Sequence, residues 1–305
     1  MSERPSVDVV VPFAGSAEEL ADVLEVLRGL LLRPRDTITI VDNRPAAAPA
    51  LPDPGDRVRL LRAPERQSSY FARNRGAAPG DAPWLVFLDA DARPDPGLLD
   101  AYFAPPPADD AGVIAGALID ADASPEGSLA SRFAAARRPM AQEITVRRAG
   151  LGYAQTANCA VRRAAFAAVD GFPEDIRSGG DADLCFRIQG AGWRLEHREA
   201  ARAVHANRES LTALLRQRAR HGAGAAWLEA RYPGTFPAGR RLGLLAWAAR
   251  DIPRAARDYG RGERETARHA LVDLAAGWAF ELGRHLPNTA TAGRRRWTPL
   301  GRLLR

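Results

Sequence analysis

Short runs of β-branched and apolar residues alternate with helix-like segments along the first third of the chain. Four runs are typical of buried strands, namely "VDVVVPF" (7–13), "TITIV" (37–41), "RVRLL" (57–61) and "WLVFL" (84–88). Two helices are predicted between them, over residues 16–31, where Ser16 and Glu19 have capping-box spacing, and over residues 68–78. This alternation predicts an α/β fold in which a mainly parallel sheet has helices on both faces.

The alternation becomes looser after the proline-rich segment "PPPADD" (105–110). The pattern then predicts a strand over 112–120, a polar irregular segment over 121–150, a strand within 153–161, a helix over 181–192 and two short extended pieces, "WRLEH" and "ARAVH". From residue 209 the chain is helical in pattern and rich in arginine and alanine. This change predicts a domain over 1–208 and a C-terminal helical region over 209–305.

The composition is that of a folded protein with a sizeable core, since 46% of the 305 residues are hydrophobic. Cys159 and Cys185 fit no metal-site spacing and cannot build a disulfide framework, so a reducing, cytoplasmic setting is expected. The charged N-terminal segment is not expected to be a signal peptide. No uncharged apolar run approaches the ~18 residues that indicate a membrane-spanning helix.

The net charge of +6 arises from 43 arginines, without any lysine, against 37 acidic residues. A basic chain can bind nucleic acid, anionic lipid or a phosphate-bearing substrate. Because arginine is the basic residue along the whole chain, a single arginine cluster does not indicate a binding site. Nucleic-acid binding is therefore not expected.

Two aspartates, Asp89 and Asp91, follow directly after the fourth predicted strand and are separated by Ala90. Alternate residues of an extended segment point to the same side, so both carboxylates can face one ligand. Carboxylate oxygens suit Mg²⁺ or Mn²⁺, often together with substrate phosphates, and ligands of parallel sheets bind beyond the carboxyl ends of the strands. By itself, however, this acid-x-acid (DxD) pattern fits a solvated turn better than a metal site.

Other polar residues are equally ambiguous when each is considered alone. Asp42 and Asn43 can contact a base or ribose, or they can start a turn. Arg73 has the position of a solvated helix residue. Asp181 can cap the helix that it begins, and Asp183 has the spacing for a structural ion pair with Arg187. His205 alone would be an ordinary packed or exposed histidine.

The order of these segments changes their interpretation. The succession "VVVPF", "TITIVDN", "SSYFARNRGAA" and "WLVFLDADARPDPGLL" closely resembles the nucleotide-sugar half of a family-2 glycosyltransferase of the GT-A fold. Residues 156–195 resemble the acceptor-side segment of that family, and "AVHANRESLTALLRQRARHGAG" resembles the His-x-x-Arg stretch of its polysaccharide-type members. The resemblance covers about residues 5–230, and it implies a nucleotide-sugar half at about 1–110 and an acceptor half at about 111–208.

The resemblance implies inverting transfer of a sugar from a nucleoside-diphosphate sugar to an acceptor hydroxyl, with Mn²⁺ or Mg²⁺ as cofactor. It places the nucleotide sugar at Pro12, Phe13, Asp42, Arg73, Asp89, Ala90 and Arg208, the metal at Asp91 and His205, and the general base at Asp181. Three features depart from the family pattern. Gly15 stands where asparagine is usual, and Gly180 stands where glutamate precedes the base. The loop "VDNRP" (41–45) replaces a longer acidic run, which leaves open whether Asp42 or Asn43 contacts the base.

Two other functions fit part of the pattern. A phosphatase of the haloacid dehalogenase type also uses Asp-x-Asp, but its motif normally follows the first strand, whereas here it follows the fourth. A catalytically inactive sugar-nucleotide-binding or scaffold protein of the same fold is the alternative that Gly180 supports. Turnover of a sugar donor would separate it from an enzyme.

The C-terminal region carries leucine and tryptophan at helical spacing with arginines between them. Such helices can lie on an anionic membrane surface, here the inner face of the membrane. They can also pack on the catalytic domain or form a homodimer contact, and this packed arrangement is preferred. Flotation with anionic liposomes separates the two.

Overall fold

The computed structural model describes residues 4–55, 58–148, 150–238 and 241–290. The strands are β1 (Val7–Phe13), β2 (Thr37–Asp42), β3 (Val58–Arg62), β4 (Trp84–Leu88), β5 (Ala92–Pro94), β6 (Ala111–Asp120), β7 (Asn158–Arg162) and β8 (Arg194–His205). The helices are α1 (Ala17–Arg28), α2 (Ser69–Ala77), α3 (Leu98–Ala101), α4 (Leu129–Arg137), α5 (Gln142–Val146), α6 (Arg163–Ala168), α7 (Gly180–Gly190), α8 (Leu211–Arg231), α9 (Arg241–Gly260) and α10 (Arg264–Gly283).

The strands form one sheet with the order β3-β2-β1-β4-β7-β6-β8-β5. The four strands from β3 to β4 are parallel, as predicted. Beyond them the sheet is mixed, because β7 runs antiparallel between β4 and β6, and β5 runs antiparallel to β8. Parallel pairing, as predicted, thus joins the strands from β3 to β4 and also β6 to β8, whereas β7 and β5 run antiparallel to their neighbours.

Alternate residues of β1 are buried on opposite faces of the sheet. Val7, Val9 and Val11 pack with the apolar side of α1, which includes Leu20 and Leu24. On the other face, Val10 belongs to a cluster that also contains residues of α2 and α7. Helix α1 begins as predicted, since Ser16 accepts a hydrogen bond from the Glu19 amide and Glu19 accepts one from the Ser16 amide. The core is thus a central sheet covered on both faces.

The sequence prediction is wrong in two places. The segment 121–150 is not irregular throughout, because it contains α4 and α5. These helices are short and α4 is mainly alanine and arginine, which gives little apolar periodicity; α4 is instead capped by Ser128. The pieces "WRLEH" and "ARAVH" belong to the single strand β8, since its pairing with β6 continues between them through a register shift.

Helix α10 packs on both α8 and α9, and α8 also contacts α4 and α7. Helices α8 and α10 meet with their backbones in contact: a Cβ atom at Gly222 would lie 1.9 Å from the carbonyl oxygen of Phe280, and one at Gly283 would lie 2.0 Å from that of Ala219. The predicted helical region is present as α8, α9 and α10, whereas its residues 239–240 and 291–305 lie outside the described residues. Among the described helices, none is long and apolar enough to cross a membrane.

Candidate active site

Two cavities meet at the carboxyl ends of β1 and β4. The first cavity, of about 690 Å³, lies beside α1 and is lined by Pro12, Phe13, Ala90 and Asp91 among others. The second cavity, of about 540 Å³, lies between α7 and the C-terminal helices and is lined by Asp181 and His205 among others. The residues that line both cavities include Arg73, Asp89, Arg177, Arg208 and Arg220. The two cavities therefore share a wall that carries one acid and four arginines.

Asp89, Asp91 and His205 form a cluster in which one ligand atom from each lies within 4.8 Å of the others. The short strand β5 pairs with the end of β8 and places Ala92 opposite His205. The amide of Ala206 also donates to the carbonyl oxygen of Asp91 at 3.0 Å. The structure thus brings the predicted metal ligands Asp91 and His205 together, and it adds Asp89.

The electrostatics of this cluster suit a cation. His205 Nε2 lies 3.3 Å from Asp91 Oδ1, and Arg208 Nη2 lies 3.4 Å from Asp91 Oδ2. Burial alone would raise the pKa of Asp91, but His205 and Arg208 lower it. The buried Nδ1 of His205 has no hydrogen-bond partner among the described residues. Two half-buried carboxylates and one imidazole are donors that can coordinate a divalent cation.

Arg73 does not lie on a solvated helix face. It is only 3% exposed, its guanidinium forms an ion pair with Asp89, and it lies 5.8 Å from the ring centre of Tyr70. The aromatic contact and the ion pair fix this cation on the wall between the cavities. It is therefore placed to interact with a negatively charged group bound at the junction.

Asp181 lies in the first turn of α7, but it is not the N-cap. The N-cap is Gly179, which has a positive φ of 90°, and no side chain caps the helix there. Asp181 Oδ1 instead accepts a hydrogen bond from the Tyr70 hydroxyl at 3.1 Å. Burial raises the pKa of Asp181 above its ordinary value, although Arg73 and the Tyr70 hydrogen bond act in the opposite direction. A carboxyl with these properties can accept a proton near neutral pH.

The structure explains why Gly180 precedes Asp181. A Cβ atom at Gly180 would lie 2.8 Å from two carbons of the Tyr70 ring, closer than a side chain tolerates. The ring of Tyr70 thus fills the space that a side chain at residue 180 would need, and its hydroxyl reaches Asp181. Glycine at 180 and tyrosine at 70 form a matched pair, which sequence reasoning missed because the two residues are far apart along the chain.

Asp42, predicted to contact the nucleotide base, is not among the described residues that line either cavity. Its buried carboxylate forms ion pairs with Arg44 and Arg62, which it would have to leave to reach a ligand. The next residue, Asn43, does line the first cavity, but its amide nitrogen donates to the carbonyl oxygens of Ala63 and Arg66, at 2.6 Å each. The structure therefore brings Asn43, and not Asp42, to the cavity.

Sequence reasoning also missed the cationic residues of the second cavity. Arg177 and Arg220 line both cavities, while Arg218 and His221 line the second alone. In a chain whose basic residues are all arginine, no sequence signal singles these out. Asp183 has the structural role predicted for it, because its buried carboxylate is held by Arg187, Tyr232 and Arg231.

Residues 5–224 match the family described as "Glycosyltransferase like family 2". The chain is 28% identical over 255 residues to the Pre-mycofactocin glycosyltransferase of Mycobacterium tuberculosis, a match that covers 81% of this chain and 53% of the relative. It is also 26% identical over 201 residues to Glycosyltransferase AglE of Haloferax volcanii, a match that covers 64% of this chain and 64% of that relative. The chain thus spans about half the length of the mycobacterial relative.

A solved mannosyltransferase from Pyrobaculum calidifontis, in complex with GDP-Man and Mn²⁺, has a similar fold, with a TM-score of 0.55. The two sequences are 18% identical, and the match covers 92% of this chain and 74% of that chain. This likeness and the sheet order confirm the predicted GT-A fold with C-terminal helices. The family match covers more than half of the chain and confirms the family that the motifs implied. The protein is therefore a member of the Glycosyltransferase like family 2.

Proposed function

We propose that the protein is an inverting glycosyltransferase that moves a sugar from a nucleoside-diphosphate donor to an acceptor hydroxyl, with a divalent cation at the donor. The observation that carries this proposal is the arrangement of the two cavities. Asp89 lies on their shared wall, Asp91 lies on the side of the first, and Asp181 on the side of the second. Displacement at an anomeric carbon requires a cation site beside the leaving diphosphate and a carboxylate beside the acceptor.

The donor would occupy the first cavity, with Pro12, Phe13 and Ala90 against the nucleotide. The cluster of Asp89, Asp91 and His205 fits a divalent cation, because it offers two carboxylates and an imidazole whose buried Nδ1 lacks a partner among the described residues. When bound, the cation would neutralise charge that develops on the leaving diphosphate. The imidazole favours Mn²⁺ over Mg²⁺, since Mg²⁺ is bound mainly through oxygen atoms.

The chain's own residues supply the remaining chemistry. Asp181 takes the proton of the acceptor hydroxyl, and Tyr70 orients the carboxylate. Arg73 and Arg208 add positive charge at the junction, where the diphosphate leaves. Because the base and the leaving group would lie on opposite sides of the sugar, the acceptor oxygen attacks from the face opposite the bond that breaks, which gives inversion.

The comparisons support this proposal at the level of the reaction. The mycobacterial and haloarchaeal relatives are both named glycosyltransferases, and the solved structural neighbour is in complex with a nucleotide sugar and Mn²⁺. We assign the catalytic role to the domain at 1–208. The helical region from 209 onward would form the outer wall of the second cavity, through Leu214, Arg218 and Phe280 among others.

A role for the C-terminal helices at a membrane surface or in a homodimer stays a prediction. Large exposed apolar side chains do lie on α9 and α10, namely Leu245, Ile252, Tyr259, Leu271 and Leu282. The inactive sugar-nucleotide-binding alternative rests on Gly180. It is weakened by the position of Asp181 in the second cavity and by Tyr70, which occupies the space beside Gly180.

The first test is the cation dependence of donor binding. We expect UDP or GDP to bind in the presence of Mn²⁺ and to lose most of its affinity after chelation, because the diphosphate would then face Asp89 and Asp91 without a neutralising cation. Isothermal titration calorimetry measures both conditions. Equal affinity with Mn²⁺ and with chelator would contradict the metal assignment.

The second test concerns the Tyr70 hydroxyl. In Tyr70→Phe the ring that packs on Gly180 is kept, but the hydrogen bond that lowers the pKa of Asp181 is lost. The base then ionises at higher pH, so the acidic limb of the rate profile should move upward by about one pH unit, the equivalent of one hydrogen bond to a charged group. The pH dependence of kcat for nucleoside-diphosphate release measures this. Tyr153→Phe, in the same cavity but without a hydrogen bond to Asp181, should leave the limb in place; a shift in both variants, or in neither, would reject the role of Tyr70.

A further inference from the structure

The second cavity extends beyond Asp181 into a part walled by the C-terminal helices. Phe133 of α4, Trp247 of α9 and Phe280 of α10 supply aromatic surface there, and Arg218 of α8 supplies a cation. The guanidinium of Arg218 lies 5.5 Å from the ring centre of Phe280. The cavity of about 540 Å³ has the size of a small-molecule site, and this end of it is also lined by the ion pair of Arg137 with Asp273.

Among the described residues, Asp273 compensates the charge of Arg218 only in part, because it acts on Arg218 through space and forms no ion pair with it. The neighbouring Asp273 is held by Arg137, whose Nη2 lies 2.6 Å from its Oδ2. The buried Nε of Arg218 has no hydrogen-bond partner, and no carboxylate of the described residues forms an ion pair with it. Burial accordingly lowers the pKa of Arg218, and burial next to Arg220 and Arg218 lowers the pKa of His221 to about 3. A half-buried cation without an ion-pair partner is costly, and a bound anion would reduce that cost.

Arg218 is also separate from the arginines that would serve the donor. Arg177, Arg208 and Arg220 line both cavities and so reach the junction where the diphosphate would lie. Arg218 lines the second cavity only. A diphosphate bound in the first cavity would therefore leave Arg218 without a counter-charge.

We propose that Arg218 binds an anionic group of the acceptor, so that the acceptor is a small amphipathic molecule with a hydroxyl at Asp181 and a carboxylate or phosphate at Arg218. This inference rests on the proposed function, because it takes the second cavity as the acceptor site. The aromatic surface of Phe133, Trp247 and Phe280 binds the apolar body of the same molecule. A neutral saccharide would leave Arg218 without a counter-charge.

The test uses two matched pairs of probes, 4-hydroxyphenylacetate with its neutral amide and geranyl phosphate with geraniol. Equilibrium dialysis measures their binding to the full chain in the presence of saturating Mn²⁺ and of UDP or GDP, whichever binds more tightly. The bound diphosphate then already neutralises the arginines that line both cavities. In at least one pair the charged member should bind at least about tenfold more tightly than the neutral one, the usual size of a hydrogen bond to a charged group. A preference for the acid alone indicates a free organic acid, and one for the phosphate alone indicates a lipid-linked acceptor.

Arg218→Met should reduce the preference to within about twofold, while it leaves binding of the nucleoside diphosphate and of the neutral probes unchanged. The unliganded variant should melt at or above the wild-type temperature, because a half-buried charge without an ion-pair partner has been removed. Arg268→Met, an exposed arginine of α10, is the matched control and should retain the full preference. Absence of an Arg218-dependent preference in a protein that binds the nucleoside diphosphate, or a lower melting temperature of Arg218→Met, would overturn the inference. Failure of the wild type to bind any nucleoside diphosphate would instead reject the proposed function.

Discussion

Replacing Asp181 by asparagine should reduce sugar transfer by roughly 10²–10⁴-fold while nucleoside-diphosphate binding stays unchanged. The substitution keeps the size of the side chain and an oxygen that accepts the Tyr70 hydrogen bond, but it removes the group that takes the proton. The start of α7 does not depend on Asp181, since the N-cap residue is Gly179 and no side chain caps the helix. Transfer rates and calorimetry with the same nucleotide measure the two effects separately.

The pH dependence of transfer provides a second measurement on the same variant. Asp181 acts as a base only when it is ionised, and burial raises the pKa of this carboxyl above the ordinary 3.8. Wild-type transfer should therefore fall as the pH drops through that raised pKa, whereas the residual activity of Asp181→Asn should not. Asp175→Asn, an exposed acid outside both cavities, should behave as the wild type. If Asp181→Asn transfers at the wild-type rate, the base lies elsewhere, and Asp120 of the second cavity becomes the next candidate.

Asp91→Asn should instead weaken Mn²⁺-dependent binding of the nucleoside diphosphate by at least about 10–100-fold, because even the residues that only support metal ligands have effects of that size. Asparagine retains contacts to His205 and Arg208 but removes one negative charge and a carboxylate donor. The expected loss is in donor affinity, in contrast to Asp181→Asn. Calorimetric titration in Mn²⁺ and in chelator measures it.

The matched control for this prediction is Asp95→Asn, an exposed acid a few residues further along that lines neither cavity among the described residues. It should bind the nucleotide as the wild type does. Melting temperatures of both variants verify that the fold is intact. An Asp91→Asn protein with wild-type affinity and wild-type sensitivity to chelator would show that Asp91 does not hold the cation.

The nucleotide-side half of the fold could be predicted from the sequence because its signals are local. Val7–Phe13 and Trp84–Leu88 are short β-branched or apolar runs with clear ends, and Ser16 with Glu19 marks the start of α1 within four residues of chain. The second half depends on pairing over long distances. The antiparallel insertion of β7 and the continuity of β8 follow from contacts with β6, which no local pattern encodes.

The site shows the same difference between local sequence signals and contacts over long distances. Asp89, Asp91 and His205 could be named from motif order, and the sheet brings them together. The hydrogen bond from Tyr70 to Asp181 could not be predicted, because it depends on how α2 lies against the start of α7. Nor could Arg218 be distinguished from the other arginines of the chain, since what sets it apart is its place in the second cavity and its lack of an ion-pair partner among the described residues. The ion pairs of Asp42 with Arg44 and Arg62, which hold its carboxylate away from both cavities, cannot be read from the residue type.

Helices α8 and α10 are in backbone contact at Gly222 and Gly283, so the width of the second cavity is set by the backbone and its chemical character by the side chains that line it. With no side chain between them, the two helices have a fixed spacing, so the cavity keeps its width when side chains that face it, such as Phe280 or Arg218, are exchanged. A methyl group at residue 222 would instead force the helices apart, since it would overlap the carbonyl oxygen of Phe280. A point substitution on this wall would therefore change the chemical character of the second cavity at constant width, and it would leave the first cavity untouched.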